Sequence, residues 1–81
     1  MGLLWFNPPV YVKGERPGLR YGVSHVQGAA EQLLLWNRRG PKWKRAVEGC
    51  MAAIEGEVSP KEVRQLFEAA AKEEKVLLPP D

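Results

Sequence analysis

The chain has 81 residues, which suffices for one small domain with a thin core and leaves little room for a deep active-site cleft. One cysteine excludes an internal disulfide and gives no sign of secretion, and the net charge is only +2. The apolar start is too short for a signal peptide, and no apolar run reaches membrane-spanning length. These features predict a cytoplasmic protein that does not bind a membrane.

The first half of the chain predicts a β-hairpin. Residues 10–13 are β-branched and aromatic, which is typical of a strand, and residues 19–23 predict a second short strand. The Gly and Pro content of residues 14–18 predicts the loop between them. Pro8 and Pro9 precede the first strand, and we do not expect the strand to extend back through them.

A first helix is predicted directly after the hairpin. Ser24 and Gln27 have the spacing of a capping box, in which each side chain binds an unpaired backbone N–H at the helix start. The helix is predicted to run to about Trp36. Its broad apolar face comprises Val26, Ala29, Ala30, Leu33, Leu34 and Trp36. Leu35 points away from that face. We expect both apolar sides to be buried between the hairpin and the other helices, with an exposed apolar outer surface as the alternative.

The stretch from Gly40 to Gly56 predicts the central helix. Pro41 suits the first helical position, and Gly56 suits the position just past the end. Its apolar face comprises Trp43, Ala46, Val47, Cys50, Ala53 and Ile54. Gly49 lies at the edge of this face and costs about 1 kcal/mol relative to alanine. This cost predicts the close approach of a neighbouring helix or aromatic ring, with local flexibility as the alternative.

The last helix has the clearest start signal in the chain. Ser59 and Glu62 have capping-box spacing, and Pro60 suits the first helical position. The apolar stripe that follows comprises Val63, Leu66, Phe67 and Ala70. Contact with the core is expected to end near Ala71. Residues 76–78, near the C-terminus, are a candidate third strand.

These elements together predict an α+β fold, in which an N-terminal β-hairpin, with the candidate third C-terminal strand, packs on three helices. We expect a single small domain over residues 1–81. Within it, we expect residues 1–7 to be flexible and residues 79–81 to form a tail.

Several stretches together resemble a known family. An Ala-rich helix ending in L-L-L-W is followed by R-G-P, by A-V-E-G-C-M-A-A-I-E-G and by S-P-K-E-V-R-Q-L-F-E-A-A-A. Over residues 10–78 this pattern resembles the domain of unknown function 982 family of small bacterial proteins. Asn37 stands where the family often has proline, and Lys75 stands where it often has glycine. The resemblance implies a compact α+β domain without a known activity, and it brings no catalytic residues.

Two side chains that could carry chemistry are better explained by packing. His25 is the only histidine, and neither an HxxxH nor a CxxC spacing is present, so we expect no metal site. Cys50 lies at the centre of the central apolar face, where a thiol without cationic neighbours is unreactive. We therefore expect neither enzyme activity nor a cofactor.

The most unusual local feature is a basic run around the start of the central helix. It comprises Arg38, Arg39, Lys42, Lys44 and Arg45. These charges oppose the helix dipole, which prefers anions at this end, and the unpaired backbone N–H groups there form a ready anion site. The run predicts the docking of a phosphate or of carboxylates on a partner, with a solvated turn as the alternative.

The charge is also uneven along the chain. Residues 1–45 carry eight Lys/Arg and two acids, whereas residues 46–81 carry four Lys/Arg and eight acids. The basic part can attract an anionic partner or the acidic part of another copy. The sequence therefore predicts a non-enzymatic protein-interaction module that binds an unknown protein partner or itself. The alternative is a small nucleic-acid-binding protein that uses the basic run, which the low net charge and the lack of a recognised DNA- or RNA-reading motif disfavour.

Overall fold

The computed structural model describes residues 2–14 and 16–79, which form a three-stranded antiparallel sheet and three helices. The strands are β1 (Trp5–Lys13), β2 (Arg20–His25) and β3 (Leu77–Leu78). The helices are α1 (Val26–Leu35), α2 (Pro41–Ile54) and α3 (Pro60–Glu74). The strand order is β2-β1-β3. The predicted α+β fold is confirmed, including the N-terminal hairpin and the third C-terminal strand. In the described part of the chain, no helix is both long enough and apolar enough to cross a membrane.

The central strand β1 begins earlier than the sequence predicts. It pairs with β2 through Trp5 and His25, and again through Val10 and Val23. Three more residues therefore lie between the paired positions on β1 than on β2, which makes a bulge. Both prolines lie in this bulge, where their missing N–H groups interrupt no ladder hydrogen bond. The expectation that the strand would not extend back through the prolines is therefore wrong.

Segments near both ends of the described part of the chain reach the sheet or the core. The flexibility expected of residues 1–7 stays a prediction, and the structure buries Phe6 of that segment. Near the other end, Leu77 pairs with Val12 of the central strand. Of the expected tail at residues 79–81, the last two residues lie outside the described part of the chain.

The core lies between one face of the sheet and the three helices. Its buried side chains are Phe6, Val10, Val12, Val23, Val26, Ala29, Leu33, Trp36, Ala46, Cys50, Ala53, Val63, Phe67, Ala70 and Ala71. Trp36 stacks on Phe67 with the ring centroids 5.4 Å apart. Each predicted helical face contributes to this core, and on α3 the burial ends at Ala71, as the sequence predicts.

The outer sides of α1 are not covered. Leu34 is 64% exposed and Leu35 is 56% exposed, so the expectation that both apolar sides of this helix are buried is wrong. The buried residues Val26, Ala29 and Leu33 occupy one stripe, and Leu35 points nearly opposite to it. A three-stranded sheet and two other helices cover this stripe and leave the rest of α1 facing solvent.

The N-terminus of α1 is capped by His25 and not by the predicted Ser24. The Gly28 N–H donates to His25 Nδ1 at 2.8 Å. Gln27 accepts a hydrogen bond from the Leu4 N–H instead of reaching back to the cap. The reason is that β2 continues through His25, which shifts the helix start by one residue. An imidazole nitrogen then occupies the place where a serine hydroxyl was expected.

The ends of α2 and α3 agree with the sequence. Pro41 begins α2, and Gly56 follows its end with φ of +82°. Ser59 Oγ accepts from the Glu62 N–H at 3.3 Å, which confirms this cap of α3. A Cβ added to Gly49 would lie 2.5 Å from a terminal methyl group of Leu66, which confirms the close approach of a neighbouring helix.

Candidate interaction surface

The connection between α1 and α2 places Arg39 in a structural role. Its Nε donates to the Trp36 carbonyl at 3.1 Å, and its Nη2 donates to the Leu34 carbonyl at 3.1 Å. The guanidinium carbon lies 4.8 Å from the centre of the Trp43 ring. Carbonyl groups at a helix C-terminus lack intrahelical partners, and a basic side chain satisfies them well. Arg39 therefore holds the end of α1 against the start of α2.

The anion site predicted at the start of α2 contains carboxylates of the same chain. The Lys42 N–H donates to Glu73 Oε2 at 3.1 Å, and the Arg38 N–H donates to Glu74 Oε1 at 3.2 Å. A Cβ on Gly40 would lie 2.9 Å from the Glu73 carboxylate, so glycine leaves the space that this carboxylate occupies. The helix dipole and the backbone N–H groups bind an internal anion here.

The remaining members of the basic run point toward solvent. The residues Arg38, Lys42, Lys44 and Arg45 are all exposed. Within residues 2–14 and 16–79, none of these four forms an ion pair. The start of α2 therefore carries four exposed basic side chains, and the carboxylates of Glu73 and Glu74 lie beside them. Binding of a partner anion by this run stays a prediction.

An apolar groove lies between α1 and α2. The Trp43 indole N–H donates to the Leu33 carbonyl at 2.6 Å, and Cys50 Sγ lies 3.9 Å from the Val26 carbonyl oxygen. The end of α1 therefore meets the start of α2, and the two helices are antiparallel. The groove has a volume of about 160 Å³. It is lined by Ala30, Leu34, Val47, Cys50, Met51 and Ile54.

Three large side chains at the rim of this groove are exposed to solvent. Leu34 is 64% exposed, Met51 is 60% exposed and Ile54 is 49% exposed. Single exposed apolar residues are common on protein surfaces, whereas a contiguous patch around a groove is typical of a binding site. We call the six residues that line the groove the α1–α2 groove surface.

Cys50 forms the floor of the groove without being a reactive thiol. It is 1% exposed, and burial raises the pKa of the thiol to about 11. His25 uses Nδ1 to cap α1 and lies edge-on to the Trp5 ring, with the centroids 5.2 Å apart. In the described residues, no three His, Cys, Asp or Glu side chains are grouped closely enough to hold a metal ion.

Comparison with protein families gives one match. A family model described as a protein of unknown function, DUF982, matches residues 8–78. The chain belongs to the DUF982 family. This confirms the resemblance seen in the sequence, and a bacterial origin stays a prediction. Comparison with curated proteins and with solved structures finds no match.

The DUF982 match assigns no activity, so the surface itself must indicate the function. Sequence reasoning placed Leu34, Val47 and Ile54 in the core and did not include Met51 in the central apolar face. One sequence signal could have identified the exposed patch. The apolar arc of α2 extends from Ala53 on one side to Met51 on the other, and a core this small cannot cover so wide an arc.

Proposed function

We propose that this DUF982 chain is a small non-enzymatic interaction module that binds another protein chain through the α1–α2 groove surface. The observation that carries the proposal is the exposure of Leu34, Met51 and Ile54 around a groove with apolar walls. Covering these side chains removes apolar surface from water, which favours association by about 25 cal/mol for each Å² covered. A groove of about 160 Å³ holds one apolar side chain of a partner.

The residues most able to perform chemistry have other roles, and this supports a binding function. The Cys50 thiol is buried with a raised pKa, and a nucleophilic cysteine needs the thiolate and access to solvent. His25 faces Gly28 and Trp5 rather than a second catalytic group. The proposal includes a cytoplasmic location, because an unpaired cysteine suits a reducing compartment.

Nucleic-acid binding is the weaker candidate. A nucleic-acid surface needs an uninterrupted positive field along a groove or a helix. Here Glu73 and Glu74 lie at the base of the basic run, and Arg39 is engaged by carbonyl groups of α1. The internal carboxylates reduce the positive field where a phosphate would bind. A gel-shift titration with duplex DNA and single-stranded RNA is expected to show no shift at physiological salt.

Site-specific photo-crosslinking tests the proposed function. A photoreactive residue is introduced at Met51 in the groove surface and, in a matched control, at Lys61, which is an exposed helical residue on α3. In living cells we expect a covalent protein adduct from position 51 and none from position 61. The absence of an adduct from position 51, or equal adducts from both positions, would overturn the proposal.

A further inference from the structure

We propose that the protein chain bound in the α1–α2 groove surface is a second copy of the same chain, with the two α2 helices antiparallel across a two-fold axis. This inference rests on the proposed function and names its partner. Three features carry it: the surface has both a projecting side chain and a groove, its charges are opposite at its two ends, and its apolar positions are symmetric about one point.

The first feature is that the same surface contains both a projecting side chain and a groove that can hold one. Met51 projects from the rim with 60% of its surface exposed, and the groove beside it is about 160 Å³. An interface with two-fold symmetry uses one patch twice, so that patch must contain both a projection and a recess. A methionine side chain is unbranched and adapts its shape to a groove, which suits this role.

The second feature is the charge at the two ends of the groove surface. Lys44 is exposed one turn before Val47, at the end where α2 begins. At the opposite end, Glu55 is exposed directly after Ile54, and Glu57 is exposed two residues later, beyond Gly56. An antiparallel arrangement brings the basic end of each copy to the acidic end of the other. A parallel arrangement would place like charges together, which is unfavourable.

The third feature is the spacing of residues along α2. A two-fold axis that crosses the helix between Cys50 and Met51 places Val47 opposite Ile54 of the second copy. An axis one residue earlier places Lys44 opposite Glu55, the residue at the C-terminal cap of α2. The apolar pairs and the ionic pairs are therefore satisfied in nearly the same register. Antiparallel helix pairs that cross at about 20° keep such contacts over several turns.

The size of the surface sets the expected strength. The chain exposes 5483 Å² in total. A stable interface buries about 800 Å² and about 20–30 residues on each partner, whereas the groove surface comprises six residues. We therefore expect a dimer that dissociates in the micromolar range rather than an obligate dimer.

Sedimentation equilibrium of the purified full chain, from about 1 µM to about 1 mM, tests the partner. We compare the unchanged protein with Leu34→Glu and with Leu35→Glu. The two leucines are adjacent on α1 and similarly exposed, but only Leu34 lines the groove. A buried charge at Leu34 should weaken dimerisation at least about tenfold, whereas Leu35→Glu should change it less than about twofold. Met51→Lys provides a second disruption with the opposite charge, and far-UV circular dichroism confirms that each variant is folded.

The orientation has its own test. At low salt, Lys44→Glu should weaken the dimer about two- to fivefold, because it places acids opposite acids. Combining Lys44→Glu with Glu55→Lys and Glu57→Lys restores opposite charges and should restore the dimer. At 1 M salt the single change should have no effect, since the screening length is then about 3 Å. Failure of the triple variant to restore dimerisation would overturn the antiparallel arrangement.

Further outcomes distinguish a failure of the dimer proposal from a failure of the proposed interaction function. A chain that stays monomeric at every concentration overturns the second copy as partner. If position 51 still crosslinks to a different protein in cells, the interaction function stands with another partner. If Leu35→Glu abolishes the dimer and Leu34→Glu does not, the dimer forms elsewhere and the groove surface is not its interface.

Discussion

The two sides of α2 differ in the size of their apolar side chains. The side toward α3 carries small residues, Ala46, Gly49 and Ala53. The side toward the groove carries large residues, Val47, Met51 and Ile54. Small residues allow two helices to approach closely and bury the contact completely. Large residues on the other side project past α1 and leave an open groove.

This difference shows how one continuous apolar arc can serve two contacts. The tight side belongs to the fold, because a Cβ at Gly49 already meets Leu66 of α3. The open side is available for a partner, because Leu34 of α1 does not cover Met51. Periodicity alone merges the two sides into one stripe, whereas residue size separates them. Variants that change one side of α2 at a time separate the two contacts.

The largest expected effect is on the tight side. Gly49→Val should destabilise the protein by about 2–3 kcal/mol, because Leu66 must move away from the new side chain. Chemical denaturation at low protein concentration measures the change. Glu48→Val is the matched control, since it adds a similarly branched residue to the exposed side of α2 and should cost about 0.5 kcal/mol. Equal losses in both variants would show that contact with α3 is unimportant at this position.

The next largest effect is a loss of stability at high pH through Cys50, which lies between the small-residue and large-residue sides of α2. Burial raises the pKa of its thiol from 9.0 to about 11, so the folded chain holds the proton more tightly than the unfolded chain. The stabilisation is complete below pH 9 and is lost as the pH rises to 11. A shift of this size corresponds to about 2–3 kcal/mol. Unfolding curves measured from pH 8 to pH 11 should show the loss, and Cys50→Ala should reduce it.

A smaller effect on stability is expected where a carboxylate of α3 caps the N-terminus of α2. Glu73→Ala removes the carboxylate that binds the Lys42 N–H and should destabilise the protein by about 1 kcal/mol. Ser59→Ala removes a neutral cap on α3 and should have a similar effect. Only the first loss should shrink at high salt, because only the first cap is charged. The same salt response for both caps would contradict this distinction.

The smallest effect on stability is expected on the open side. Met51→Gln keeps the length of the side chain and should change the free energy of unfolding by less than about 0.5 kcal/mol, since Met51 is exposed in the monomer. The measurement is made at a protein concentration well below that of any dimer. A loss above 1 kcal/mol would show that Met51 belongs to the core of a single chain and that the two sides of α2 are alike.

Features with a short sequence signature were predicted well. Pro41, Gly56 and Ser59 mark helix ends through local geometry, and the structure has them in those roles. The helical periodicity likewise identified most of the core, including Phe67 and Leu33. These signals need only a few neighbouring residues, so a single sequence is sufficient to interpret them.

Features that depend on distant residues were missed. The carboxylate at the start of α2 comes from Glu73, which is 31 positions after Lys42. The cap of α1 moved to His25 because strand pairing with Trp5 extended β2. The groove surface was missed because periodicity counts apolar residues and does not show how much surface the neighbouring elements can cover. Tertiary contacts decided each of these points.

The position of β3 has a consequence for how the chain is made. The central strand β1 is synthesised before residues 76–78, and in the described part of the chain these residues supply the backbone pairing along one of its two edges. During synthesis that edge carries unpaired backbone groups, which invite pairing with other chains. Pro8 and Pro9 within β1 cannot donate hydrogen bonds and so limit such pairing. Completion of the sheet therefore waits until residues 76–78 have been synthesised, and a chain that stops before them would have an open sheet edge.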